Sequence, residues 1–141
     1  MNNSLKNRQG FTLLELLVVL GIIAMLAGIV GPQVMKHMGT AKLKAAKVQI
    51  EDISTALDMY KLDVGNYPSN QQGLAALIEK PADGKQWNGP YLRKEKMPVD
   101  PWQQEYHYQM PGQHGKYDLY SYGADDKQGG EGEDHDINSW E

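Results

Sequence analysis

Residues 11–31 read FTLLELLVVLGIIAMLAGIVG, an unbroken apolar run in which Thr12 and Glu15 are the only polar side chains. At about 1.5 Å per residue this run makes a helix of roughly 30 Å, the thickness of a bilayer's hydrocarbon core. A transmembrane anchor is the default reading of such a stretch. A cleavable secretory signal, with Lys6 and Arg8 as its basic head and a cut near Ala27, fits less well. Signal cores run to only about 7–15 residues, and this one carries a carboxylate near its start. A buried core helix is the third reading, and too little chain remains to wrap a helix that is apolar all round. Glu15 needs its own explanation, because a carboxylate at the centre of a membrane helix costs on the order of 2.5–3.5 kcal/mol and is normally paired. No Lys or Arg lies within the run. Either Glu15 sits near the interface and reaches water, or its partner comes from another chain or from a newly made cation.

Outside this run the chain is a different material. Its 141 residues carry a net charge of -4, but residues 1–50 hold six Lys/Arg against the single acid Glu15. The surplus acid therefore lies beyond residue 50, and an acidic head argues against nucleic acid as a partner, since phosphate binding needs a basic face. The chain has no cysteine, which excludes disulfides, thiolate nucleophiles and Cys-ligated metals. No GxSxG, HExxH or phosphate-loop motif is present, so no catalytic residues are assigned.

Pro32 removes a backbone donor directly after Gly31 and is expected to kink or locally melt the helix. Beyond it Ile50, Ile53, Leu57 and Tyr60 form one apolar stripe, which predicts a helix to about Asp63 stopped by Gly65. Lys36, Lys42, Lys44 and Lys47 lie between, as an exposed basic stripe. Ser69 or Asn70 is placed to cap a short helix with Leu74, Leu77 and Ile78 inward and Pro81 as its end. Residues 82–101 read as an ordered loop plugged by Trp87, Tyr91, Leu92 and Trp102. Residues 105–110 and 117–122 alternate as two strands. The fold class is α+β, a long N-terminal helix packed on a small antiparallel sheet.

The C-terminal segment holds eight carboxylates between Asp118 and Glu141 against one lysine, Lys127. A solvated acidic tail is the plain reading. Ile137 and Trp140 want burial, however, and Gly123, Gly129, Gly130 and Gly132 permit tight turns. Clustered Asp oxygens on a glycine-rich loop suit Ca²⁺, which takes six to eight oxygens, although the spacing is not that of an EF-hand.

The basic leader ending in Gly10, followed by Phe11-Thr12-Leu13-Leu14-Glu15 and the apolar helix, resembles the N-terminal signal of type IV pilins and type II secretion pseudopilins. Residues 56–63, Tyr67-Pro68, Asp100-Pro101-Trp102 and 111–115 are similar to the major pseudopilin family of the type II secretion system. The resemblance implies a type IV pilin-like fold in three parts. These are a leader at 1–10 that is removed, a transmembrane and assembly half-helix at 11–31, and a periplasmic domain at 32–141. It implies cleavage by a prepilin peptidase between Gly10 and Phe11, methylation of the new amine, and pairing of that amine with Glu15 of a neighbouring subunit. Positive charge counted alone would orient the span the other way, given the four lysines after it; the leader motif implies that the N-terminus faces the cytoplasm. The implied function is a self-assembled helical fibre that drives export of folded proteins, with minor pseudopilins and the inner-membrane secretion platform as partners. The alternative is a type IV pilin or minor pseudopilin acting in adhesion or at the fibre tip. The resemblance also implies a calcium ion held by side chains of Asp125, Asp134 and Asp136 and backbone carbonyls of Tyr122 and Lys127. His135, which splits the acidic pair, is expected to point outward.

Overall fold

The computed structural model describes residues 10–93 and 96–141, so Lys6 and Arg8 of the leader lie outside the described residues. One helix, α1 (Leu13–Val64), carries the N-terminal half of the chain. Contacts divide the chain into two units, one up to His37 and one over Met38–Glu141.

In the first unit α1 exposes its apolar side chains all round. Phe11, Leu13 and Leu14 are more than two-thirds exposed, and the run from Leu16 to Val30 stays about half exposed. α1 is long and apolar enough here, by length and composition, to cross a membrane. Pro32 lies inside α1 without interrupting it, contrary to the expected local melting. The lost donor costs one intrahelical bond, and the helical turns on either side are long enough to carry the chain through.

In the second unit α1 packs one face on the domain. Ala46, Ile50, Ile53, Ala56, Leu57 and Tyr60 are buried, the stripe that the spacing predicts. The helix ends at Gly65, whose φ of 96° is the left-handed conformation that glycine adopts without steric cost. Its N–H donates to the Lys61 carbonyl at 2.8 Å. The expected short helix is one 3₁₀ turn, Leu74–Leu77, with Leu74, Ala76 and Leu77 buried. Ser69 caps the turn before it. Its backbone N–H donates to Gln72 Oε1 at 2.8 Å, and Gln72 N–H donates back to Ser69 Oγ at 3.3 Å.

The sheet has three strands in the order β1 (His107–Gln109), β2 (Asp118–Ser121) and β3 (Ile137–Asn138), all antiparallel. Tyr108 pairs with Leu119, and Ser121 with Ile137. β3 is the strand the sequence reading did not contain. It docks the C-terminal segment, with Ser139 N–H donating to the Leu119 carbonyl at 2.9 Å. The aromatic plugs of the long loop are in place. Trp87 Nε1 donates to the Ala76 carbonyl at 2.8 Å, and Tyr91 Oη donates to Asp63 at 2.8 Å.

Candidate functional site

Two regions carry the functional expectations. At the N-terminus, Gly10 and Phe11 are exposed and non-helical ahead of α1, with Phe11 88% exposed. Thr12 sits at the N-cap and Glu15 at the third helical position. Thr12 N–H and Oγ1–H donate to Glu15 Oε2 at 2.8 and 2.9 Å, and Glu15 N–H donates to Thr12 Oγ1 at 3.2 Å. This is a reciprocal capping box, which satisfies two of the donors that every helix start leaves open. The Thr12-x-x-Glu15 spacing was its sequence signal. Glu15 is thus held within its own chain, aimed back along the helix toward residue 11.

The second region is the loop 122–136, where two short 3₁₀ turns, Gly123–Asp125 and Gly132–Asp134, are folded against each other. Gly123 makes this possible. Its φ is 74°, and a Cβ there would stand 2.6 Å from the Glu133 carbonyl oxygen. Gly130 likewise lies under Asp134, whose carbonyl oxygen would be 2.5 Å from an added Cβ. Asp126 adopts φ 54°, the left-handed region, which an Asp tolerates better than most side chains.

Of the five expected metal-binding residues, Asp125 and Lys127 are exposed and joined, Lys127 N–H donating to Asp125 Oδ1 at 3.2 Å. Tyr122, Asp134 and Asp136 are half-buried. Asp136 Oδ2 accepts from Gly129 N–H at 2.9 Å, while Asp136 Oδ1 is buried with no hydrogen-bond partner. A buried carboxylate oxygen is normally satisfied by a hydrogen-bond donor, an ordered water or an ion. Among the described residues no group of three His, Asp or Glu side chains converges as a metal cage. His135 is exposed.

Two residues to which the sequence assigns no structural role, Asp100 and Glu133, make contacts across the domain. Asp100, 2% exposed, accepts from Ser121 Oγ at 2.6 Å through Oδ2 and from the N–H groups of Trp102 and Gln104 at 3.0 and 2.8 Å through Oδ1. Glu133 lies across Gly39 of α1, where a Cβ would meet its Cγ at 2.6 Å. It accepts from Trp102 Nε1 at 3.1 Å and faces Lys42 Nζ at 3.7 Å.

The family model of type II secretion system protein G matches residues 33–140, and the prokaryotic N-terminal methylation motif matches residues 5–31. The chain belongs to the type II secretion system protein G family. Core protein G of Pseudomonas aeruginosa is 50% identical over 140 residues, covering 96% of this chain and 97% of that one. Core protein G of Vibrio cholerae is 40% identical over 139 residues, covering 96% and 94%. Among solved structures, the major pseudopilin from the type 2 secretion system of enterohaemorrhagic Escherichia coli superposes with a TM-score of 0.61 at 32% identity, covering 75% of this chain and 92% of that one. The long helix and small antiparallel sheet are therefore the pseudopilin fold. Within this family the capping box lies in the segment matched by the methylation motif, and the acidic loop lies in the segment matched by the protein G model.

Proposed function

We infer that the chain is a structural subunit of the type II secretion pseudopilus, a fibre protein rather than an enzyme. It is stored in the inner membrane by the apolar half-helix at 11–31, with residues 32–141 on the periplasmic side. It then assembles through that helix into a fibre that drives folded proteins across the outer membrane. The observation that carries this reading is an apolar half-helix exposed on every side, in a chain that matches protein G relatives along nearly its whole length. Such a surface has to be covered by lipid or by copies of itself.

Cleavage after Gly10 would place an ammonium, with pKa roughly 8, on Phe11, one residue from the capping box that already presents the Glu15 carboxylate. A neighbour's amine paired with Glu15 would give each subunit a head-to-tail contact that does not close on itself, and such contacts make helical filaments. The intact mass of the mature chain tests the processing step. Loss of residues 1–10 plus one methyl group is expected; a full-length mass, or a cut near Ala27, would overturn it.

Calcium belongs to the same reading as a structural ion. Asp136 Oδ1 supplies the fitting observation, and Asp125, Asp134 and the carbonyls of Tyr122 and Lys127, which lie in the same loop, would supply further oxygens. The ion would offset the self-repulsion of this acidic segment when bound. Asp136 then ties the loop down from the sheet side, being the residue directly before β3.

A further inference from the structure

Four asparagines lie among the described residues, and Asn88 is unlike the other three. The Asn70 side chain accepts from the Met110 N–H at 2.7 Å, and the Asn138 side chain donates to Glu141 at 3.0 Å. Asn66 is followed by the buried ring of Tyr67. Asn88 is exposed, and its side-chain amide makes no hydrogen bond among the described residues. The next residue is Gly89, whose N–H is equally unengaged. Packing requires a glycine there. A Cβ at 89 would stand 2.6 Å from Trp87 Cζ2 and 2.8 Å from Tyr91 Cδ2, because the two rings meet edge to face around it with centroids 5.7 Å apart. The clamp that seats these two aromatic plugs therefore places the least hindered of residues directly after an exposed, unengaged asparagine.

We propose that Asn88 is a site of spontaneous deamidation that loosens the loop over the core as the chain ages. The Gly89 nitrogen attacks the Asn88 side-chain carbonyl carbon and forms an N–C bond. The side-chain nitrogen leaves as ammonia, taking the proton that the Gly89 nitrogen gives up. Water then opens the five-membered imide at either carbonyl. One opening gives aspartate; the other gives isoaspartate, whose main chain runs through the side-chain carbons and is one methylene longer. Water is the only co-reactant, and nothing is oxidised or reduced. An exposed loop position leaves the site open to this chemistry. The consequence follows from what the loop holds. The Asn88 N–H donates to Tyr91 Oη at 3.0 Å, and that hydroxyl donates to Asp63 Oδ2 at 2.8 Å. Tyr91 meets the buried Tyr60 edge to face at 5.7 Å, and its N–H donates to the carbonyl of buried Leu77 at 2.8 Å. A longer backbone at 88 pushes Gly89 out of a gap with no spare room. Either product also adds a negative charge to a turn that Tyr91 ties to Asp63. Both changes unseat Trp87 and Tyr91.

The test ages the detergent-solubilised full chain for days and reads the tryptic peptide 86–93, bounded by cuts after Lys85 and Arg93. That peptide is expected to gain about 1 Da, the difference between amide and acid, and to separate into aspartate and isoaspartate forms. The attacking nitrogen must lose its proton, so conversion should run several-fold faster in mildly alkaline than in mildly acidic buffer. The peptides that carry Asn70 and Asn138 should stay unchanged. An unmodified 86–93, or one modified no faster than the Asn138 peptide, would overturn the proposal. The converted chain should melt several degrees below the fresh one. Asn88→Gln, which can close only a less favourable six-membered imide, should keep both its mass and its melting temperature through the same ageing. Loss of melting temperature in aged Asn88→Gln equal to that of the parent would detach the loosening from this site. A chain with Asn88 fully converted and its melting curve unmoved would overturn the loosening as well.

Discussion

Thr12 and Glu15 hold each other across the first turn of α1, the Thr12 hydroxyl donating to the Glu15 carboxylate at 2.9 Å and accepting from the Glu15 N–H at 3.2 Å. The carboxylate that an apolar span should reject is therefore an N-terminal cap before it is anything else. Its negative charge also sits at the positive end of the helix dipole. A partner in a second chain has to compete with this local arrangement, and the two roles are separable by substitution.

Glu15→Leu removes cap and charge together and should leave a folded, membrane-inserted chain that forms no fibres. Glu15→Gln keeps an acceptor for the Thr12 N–H but loses the charge, and should fail in the same way. Thr12→Val costs about 1 kcal/mol of helix-start stability and should still assemble. Fibre yield by shearing and microscopy reads all three. Normal fibres from Glu15→Gln would show that capping, and not charge, is what assembly needs.

Asp100 is the residue whose removal should cost the domain most. It is buried and organises the turn before β1 while its other oxygen holds Ser121 in β2. Asp100→Ala leaves the hydroxyl and two backbone donors without an acceptor, an expected loss of about 2–4 kcal/mol. Ser121→Ala removes one bond and should cost about 1 kcal/mol. Denaturant melts of the detergent-solubilised chain give both values, and equal losses would mean that the backbone bonds to Asp100 contribute nothing.

The parts of this fold that could be read from the residues were those set by period and by punctuation. The stripe Ile50, Ile53, Leu57 and Tyr60 and the stop at Gly65 are local facts of a helix. Pro32 does not melt the helix, because the helical turns that continue on both sides outweigh its local cost. β3 was missed because Ile137–Asn138 is too short to show alternation, and only pairing with β2 makes it a strand. The roles of Asp100 and Glu133 were not legible because their partners are distant in sequence, Ser121 for one and Gly39 and Trp102 for the other. In the acidic loop composition suggested an ion, but only the fold shows that Asp136 has a buried oxygen without a hydrogen-bond partner.

Stability should fall at both ends of the pH scale for reasons that can be assigned. Burial alone would raise the Asp118 carboxyl. Hydrogen bonds from the Gln113 N–H, the His114 ring and the His114 N–H outweigh it and hold the group below the usual carboxylate value. A depressed native pKa stabilises above the unfolded value near 4, and that contribution is lost as pH falls through the native one. Tyr67 is the opposite case. Burial and the hydrogen bond it donates to Asp58 push its hydroxyl up to about 12. Its contribution is complete below about pH 10 and lost as pH rises through the native value. Asp118→Asn should flatten the acid limb of the melting-temperature profile, and Tyr67→Phe the alkaline limb. Unchanged limbs would remove these two groups as the cause.

Calcium should act on the same domain through Asp136. With the ion bound, Asp136 Oδ1 gains the partner it lacks among protein atoms, and the loop that precedes β3 is tied to the sheet. A chelator should therefore lower the melting temperature of the chain, and added Ca²⁺ should restore it in proportion to ligand concentration over its dissociation constant. Asp136→Asn keeps the shape and the acceptor for Gly129 N–H but removes the charge. It should melt lower than the parent in calcium and respond weakly to the chelator. Mg²⁺, which holds its waters and demands a tight octahedron, should substitute poorly in a loop of carbonyls and spread carboxylates. If chelation left the parent's melting curve unchanged, the buried oxygen of Asp136 would need a different partner and the loop would be a solvated acidic segment.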